Sequence, residues 1–217
     1  MMINGYRLSD DTYEFIKGEV INTFIICGVK KLPVSGIEIA SKLGIHLVPF
    51  SDLSNKRVDA AHVTSDDGLY LEDNERNPGE EFIFYNDDAD ILPERVNMTI
   101  LHEIGHCALD HKGHSDEEEA EAKFFAKYAA APPALISMLK EKNIWSIEEV
   151  FCISNQAALI AQDNYMKWCQ YGRDGYTDYE DTLLNLFAEY IENSDEMIGK
   201  EEINGENKKS AAIAYSY

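Results

Sequence analysis

The sequence predicts an α+β protein in which a small twisted sheet packs beside two helices and a helical region follows. Three observations support this class. Apolar residues recur at helical spacing near the N-terminus, four short strand-like segments lie between residues 46 and 86, and helical spacing dominates the remainder of the chain. The chain has 217 residues and 45% of them are hydrophobic, which is enough to bury a core.

Two helices are predicted before the sheet. The first begins at Ser9 or Asp10 and runs to about Cys27, and the second runs from about Val34 to Leu43 and ends at Gly44. The predicted strands are His46–Phe50, Ala60–Thr64, Gly68–Leu71 and Glu81–Asn86. We expect Glu81–Asn86 to form an exposed edge of the sheet that can receive an extended peptide, although its apolar run also suits a central strand.

The next predicted helix, Ile91 to Leu109, contains the pattern H-E-x-x-H at residues 102–106. His102 and His106 lie one turn apart, so both imidazoles leave the same helix face and can hold one metal ion. Glu103 lies about 100° further round the helix, where it can reach a water on the metal more easily than the metal itself. This arrangement is typical of zinc hydrolases, with Glu103 as general base, although the pattern also occurs by chance.

A short loop separates this helix from an acidic one. Ser115 and Glu118 form the S-x-x-E pattern of a capping box, and the helix is expected to end near Ala131, before two prolines. The remaining chain predicts further helices at about 134–141, 146–151, 154–171 and 179–192. We therefore expect a catalytic domain over residues 1–140, a helical region over 141–192 and a polar tail over 193–217.

The third metal ligand can come from several residues near the acidic helix. The candidates are His114, Glu117, Glu118, Glu119 and Glu121. His111 is set aside because, on a continuous helix, it would face away from His102, and Cys107 is expected to pack in the interior. Small residues from Ala122 onwards permit close approach to Gly105, and Glu119 precedes this stripe by one turn. Helix geometry therefore favours Glu119.

Two motifs resemble those of the ImmA/IrrE-type metallo-endopeptidases. The first is Thr99-Ile-Leu-His-Glu-Ile-Gly-His-Cys-Ala-Leu-Asp-His111, and the second is Glu119-Ala-Glu-Ala-Lys-Phe-Phe-Ala126 with Pro132 shortly after. The family pattern is H-E-hydrophobic-G-H followed by E-x-E-A-N-x-F-A. The similarity covers roughly residues 33 to 170, and the two motifs stand in the family's order and spacing.

The resemblance implies a zincin-like fold and a zinc-dependent endopeptidase with His102, His106 and Glu119 as metal ligands and Glu103 as catalytic base. It also implies a narrow protein substrate, typically a helix-turn-helix repressor of a phage or mobile element. Lys123 departs from the family pattern, which has Asn or Asp there. Because lysine offers no acceptor to a ligand histidine, the groups surrounding the ligands must differ in this chain.

Composition restricts the partners. Asp and Glu total 40 against 19 Lys and Arg, giving a formal net charge of -21. A field of this sign repels nucleic acid and anionic membranes, so we expect neither as a direct partner. The four cysteines are widely spaced, and the first residues lack a basic targeting region, which favours the cytoplasm. The alternative function is a non-catalytic metal-binding sensor that binds a repressor or acts in a toxin-antitoxin pair.

Overall fold

The computed structural model describes residues 7–73, 79–113, 115–171 and 175–198. Its chain divides into two compact units, one formed by Met1–Cys27 and Ser35–Ala129 and the other by Gly28–Val34 and Ala130–Tyr217. The domain boundaries expected at residues 140 and 192 stay predictions. Most of the expected polar tail, from residue 199 onwards, lies outside the described residues.

The first unit combines helices with a small mixed sheet, which confirms the α+β class. Its elements are α1 (Asp10–Cys27), α2 (Gly36–Leu43), β1 (His46–Pro49), a 3-10 turn (Phe50–Asp52), α3 (Asn55–Thr64), β2 (Gly68–Asp73), β3 (Glu80–Tyr85), α4 (Pro93–Ala108) and α5 (Asp116–Ala130). Ser35 caps α2 by accepting from the Glu38 amide, and Gly44 ends it in the left-handed region. Pro93 occupies the first turn of α4, where its missing N–H costs no hydrogen bond.

The sheet has the strand order β1-β3-β2. β3 pairs in parallel with β1 and antiparallel with β2, so the prediction that Glu81–Asn86 forms the sheet edge is wrong. The physical reason lies in its side chains. Ile83 is fully buried on one face, and the stacked rings of Phe82 and Phe84 make the other face apolar, as in a strand with neighbours on both edges. Among the described residues, β1 and β2 form the edges.

The predicted strand Ala60–Thr64 is also wrong, because these residues form the end of α3. Val63 and Thr64 favour strands, but Val63 is 88% exposed and so gains nothing from packing on a sheet. The helix begins after Ser54, whose carbonyl accepts from the Arg57 and Val58 amides. Residues 60–64 therefore continue a helix that begins at Asn55.

The second unit is helical in its described residues, apart from one isolated β-bridge. Its helices are α6 (Pro133–Ile136), α7 (Ile144–Phe151), α8 (Asn155–Tyr171), α9 (Asp178–Leu186) and α10 (Ala188–Asn193). α6 is shorter than predicted because Leu139 forms that bridge with Met197. The predicted helix 179–192 is interrupted at Phe187, and α7 begins at Ile144, two residues before its predicted start, with Asn143 as its cap.

Helix α4 is the central element of the first unit. It packs on β2, β3 and α2, and it buries Ile100, Leu101 and Ile104. On another face it meets α5 at Gly105, where an added Cβ would lie 3.2 Å from the Ala122 Cα and 3.2 Å from the Phe125 Cβ. The predicted small-residue contact between the two helices is therefore present, and it brings α5 close to the H-E-x-x-H segment.

This contact predicts that replacing glycine by alanine changes the stability of the protein differently at positions 18 and 105. Gly18→Ala in α1 adds a Cβ with nothing within 4 Å, so we expect a gain of about 1 kcal/mol from helix propensity. Gly105→Ala has the same propensity gain but is overpacked against the α5 backbone, at a cost of about 1–3 kcal/mol. Chemical denaturation should therefore give a lower free energy of unfolding for Gly105→Ala than for Gly18→Ala. Equal stabilisation by both would contradict the close contact.

Candidate metal centre

Three side chains from α4 and α5 converge on one point. The Nε2 atoms of His102 and His106 lie 3.2 Å apart. The Glu119 carboxylate faces both of them, with Oε2 at 3.4 Å from the His102 Nε2 and Oε1 at 3.4 Å from the His106 Nε2. In the part of the chain that the structure describes, this is the one cluster of three such groups that could hold a metal ion.

The spacing of these atoms fits a zinc site. Four-coordinate zinc binds nitrogen and oxygen at about 2.0–2.1 Å, which places any two tetrahedral ligands about 3.3–3.4 Å apart. The separation of the two imidazole nitrogens, and that of each nitrogen from the Glu119 oxygen facing it, lie at or near this value. Two imidazole lone pairs that face each other at 3.2 Å also require a proton or a cation between them. The donor set is therefore suited to a small divalent cation.

The other acidic residues of the α5 N-terminus have different roles. Glu118 forms the predicted capping box with Ser115, and its carboxylate also accepts from the Lys112 and Gly113 amides. These amide donors, led by that of Ser115, lower the pKa of Glu118 to about 2. Glu117 is exposed. Of the candidate carboxylates, the structure brings Glu119 to the histidine pair, and His114 lies outside the described residues.

The surroundings of Glu119 favour its charged form, whereas those of Glu103 favour its protonated form. Hydrogen bonding with His102, and then with His106, lowers the pKa of Glu119 well below its ordinary value. Glu103 is only 5% exposed, and burial raises its pKa to about 7. Glu119 is therefore suited to bind a cation as a carboxylate, whereas the pKa of Glu103 suits a general base or acid near neutral pH.

Glu103 also contacts the sheet. The main-chain N–H of Tyr70 in β2 donates to its carboxylate. The candidate base therefore lies within reach of a main-chain amide in a strand at the edge of the sheet. No spacing rule in the sequence indicates this contact, because it joins residues 33 positions apart.

The expectation that His111 faces away from the site is wrong. α4 ends at Ala108, and Asp110 adopts a positive φ of 55°, which turns the chain back on itself. As a result, the His111 Nδ1 lies 2.9 Å from the His106 Nδ1, and its Nε2 lies 2.9 Å from a Glu121 carboxylate oxygen. Burial lowers the pKa of His111. His111 is thus a site residue that helical geometry alone excluded.

Two other residues that the sequence singled out also have defined places. Lys123 lies with its Nζ 3.8 Å from the Glu119 Oε2, so it faces a candidate ligand rather than a ligand histidine's second nitrogen. Cys107 points to Glu81 in β3, with its Sγ 3.3 Å from the Oε1, which agrees with a packing role.

Comparisons with known proteins give no independent information on these residues. No family model matches the chain, and no match emerges among curated proteins or solved structures. Within the described residues, no helix has both the length and the apolar character needed to cross a membrane.

The converging donors predict that zinc binding depends on Glu119 and not on its neighbour. Glu119→Gln removes the anionic ligand, so the purified variant should lose most of its zinc, whereas wild type should hold about one zinc per chain. Glu117→Gln makes the same change on an exposed residue of the same helix turn and should retain the metal. Elemental analysis after dialysis measures both. Retention of full zinc by Glu119→Gln or by His102→Ala would show that the ligands are misassigned.

Proposed function

We propose that this protein is a zinc-dependent endopeptidase with a zincin-like site, as its resemblance to the ImmA/IrrE-type enzymes implies. The observation that carries the proposal is the convergence of His102, His106 and Glu119 at zinc-ligand spacing beside the buried Glu103. A carboxylate whose pKa is raised to about 7 is suited to accept a proton and return it within one catalytic cycle.

The residues divide the chemistry between them. His102, His106 and Glu119 would hold zinc, which lowers the pKa of a bound water and polarises a carbonyl group. Glu103 takes the proton from the attacking water and delivers it to the leaving amine. The Tyr70 N–H favours the charged form of Glu103, which is the form that accepts a proton.

The edge of β2 that pairs with no strand among the described residues, its free edge, suits an extended peptide substrate. The Asn86 amide donates to the Asp67 carbonyl at 2.9 Å, so hydrogen-bonded pairs between β2 and β3 fall at odd-numbered β2 residues. The main-chain groups of Tyr70 and Glu72 therefore point away from β3. Since the Tyr70 N–H reaches Glu103, this edge runs past the candidate base, and a peptide paired with it would be presented to the site.

We further propose that the substrate is a helix-turn-helix repressor in the cytoplasm, as the family resemblance implies. The net charge of -21 is compatible with a basic protein partner and opposes direct contact with nucleic acid. Such a repressor would present a basic surface to an acidic enzyme, which speeds association at low ionic strength.

One observation favours a second function. Lys123 lies 3.8 Å from the Glu119 Oε2, so its ammonium group competes with a cation for this carboxylate. A weakened metal site on an acidic protein would suit a sensor that binds a repressor, or a member of a toxin-antitoxin pair, without cleaving it. The two functions differ in whether the bound partner is hydrolysed.

Glu103→Gln separates the two functions. The side chains are nearly the same size, so the variant should fold and bind zinc as wild type does. Loss of the general base should reduce the cleavage rate of the cognate repressor by about 10²–10⁴-fold. Cleavage is followed by mass spectrometry and zinc by elemental analysis. Cleavage at the wild-type rate would remove Glu103 from the mechanism, and zinc loss would make it a ligand. A wild type that binds the repressor without cleaving it would support the sensor.

The corrected sheet order predicts opposite outcomes for two proline substitutions. The Glu72 N–H points to the free edge, where proline is tolerated, so Glu72→Pro should keep the fold and zinc but weaken cleavage. Phe84 pairs with Leu69 in the hydrogen-bonded register of central β3, so Phe84→Pro should abolish cooperative melting. Glu72→Ala controls for loss of the carboxylate. Wild-type cleavage by Glu72→Pro would exclude this edge as the peptide-binding strand.

A further inference from the structure

Beyond the three candidate ligands, a chain of two imidazoles and one carboxylate extends from the metal centre. The His106 Nδ1 lies 2.9 Å from the His111 Nδ1. The His111 Nε2 lies 2.9 Å from the Glu121 Oε2. The side chains of His106 and His111 are 3% and 6% exposed, so this chain runs largely out of contact with solvent.

We infer that His111 and Glu121 are positioning residues that set the tautomer and orientation of His106 for metal binding. The inference rests on the proposed zinc site, in which the His106 Nε2 supplies its lone pair to the cation. The ring proton of His106 must then be on Nδ1, and this N–H donates to the His111 Nδ1. His111 consequently carries its own proton on Nε2 and donates it to the Glu121 carboxylate. With the His106 Nε2 lone pair on the cation, one pattern of protons satisfies both of these contacts.

The backbone between the two histidines fixes their relative position. The Asp110 amide donates to the Cys107 carbonyl at 3.1 Å, and the His111 amide donates to the His106 carbonyl at 3.0 Å. With Asp110 at a φ of 55°, these two bonds form a Schellman ending of α4. The turn therefore returns His111 to the base of the ligand histidine, where a continuous helix would carry it away.

The negative charge of Glu121 favours hydrogen bonds that all point from His106 through His111 to Glu121. A carboxylate that accepts from a metal-binding histidine raises the basicity of the ligand nitrogen and holds the ring in place. In this protein the carboxylate acts through a second imidazole. Glu121 also stands two residues after Glu119, so the same helix supplies one carboxylate to the candidate cation and another to the outer end of the chain. Because Lys123 has no acceptor atom, His111 is the residue that accepts the hydrogen bond from the His106 Nδ1.

Two substitutions at one position separate positioning from simple packing. His111→Asn keeps an acceptor near the place of Nδ1 and loses the contact with Glu121, whereas His111→Gln keeps a polar group near Glu121 and loses the acceptor beside His106. His111→Phe loses both. We expect His111→Phe and His111→Gln to weaken zinc binding by about 10–100-fold, and His111→Asn to recover most of that loss. Competition with a chelating dye measures each zinc affinity, and near-ultraviolet circular dichroism of the zinc-free proteins checks folding.

Two matched variants on α5 test whether Glu121 contributes to zinc binding. Glu121→Gln and Glu117→Gln are the same change four residues apart, and only Glu121 faces His111. Glu121→Gln should weaken zinc binding several-fold, and Glu117→Gln should leave it unchanged. Equal zinc affinities for both variants would overturn the role of Glu121.

Ring nitrogen shifts give a readout that packing alone would not change. In zinc-loaded protein labelled with ¹⁵N-histidine, we expect His106 to carry its proton on Nδ1 and His111 on Nε2. A His111 proton on Nδ1, or equal zinc affinities for His111→Asn and His111→Gln, would overturn the inference while leaving the peptidase proposal intact. Zinc binding without peptide cleavage would contradict the peptidase proposal and leave this inference standing. A wild type that binds no zinc would contradict both.

Discussion

The candidate site depends on the close contact between α4 and α5 at Gly105. A side chain there would meet the Ala122 backbone at 3.2 Å, so only glycine lets the two helices approach without strain. This approach brings the Glu119 carboxylate within 3.4 Å of two imidazole nitrogens. A displacement of about 1 Å between the helices would move the carboxylate out of range of a shared cation, since zinc–oxygen distances vary by only about 0.2 Å. Packing therefore sets the metal-binding geometry.

The same packing gives two nearby carboxylates different chemistry. Glu119 faces imidazoles, which favour its ionised form, whereas Glu103 is buried against β2 and its pKa rises to about 7. Environments that push the pKa values of neighbouring groups apart are how an active site assigns one group to binding and another to proton transfer. In a chain with a formal net charge of -21, burial of a further carboxylate needs local compensation, which His106 and the Tyr70 amide supply.

Lys123 and His111 show that the groups around the candidate ligands differ from those that the family pattern predicts. The resemblance to the ImmA/IrrE-type enzymes places an acceptor at position 123, and lysine cannot serve as one. The structure instead directs Lys123 to Glu119 and places His111 beside the second nitrogen of His106. A polar partner for the second nitrogen of His106 thus comes from the turn after α4. The ligand motif and its supporting groups are therefore separate evidence about function.

The sequence by itself determined the features that depend on short-range periodicity. Helical periodicity sets the relative positions of residues 102, 103 and 106. A four-residue pattern predicts the capping box, and a stripe of small residues predicts the contact at Gly105. Only the tertiary structure decided the centrality of β3, the helical form of residues 60–64 and the return of His111 to the site. Strand order depends on pairing between distant segments, a short apolar run fits helix and strand alike, and the turn at Asp110 requires a left-handed conformation that aspartate adopts only in the right context.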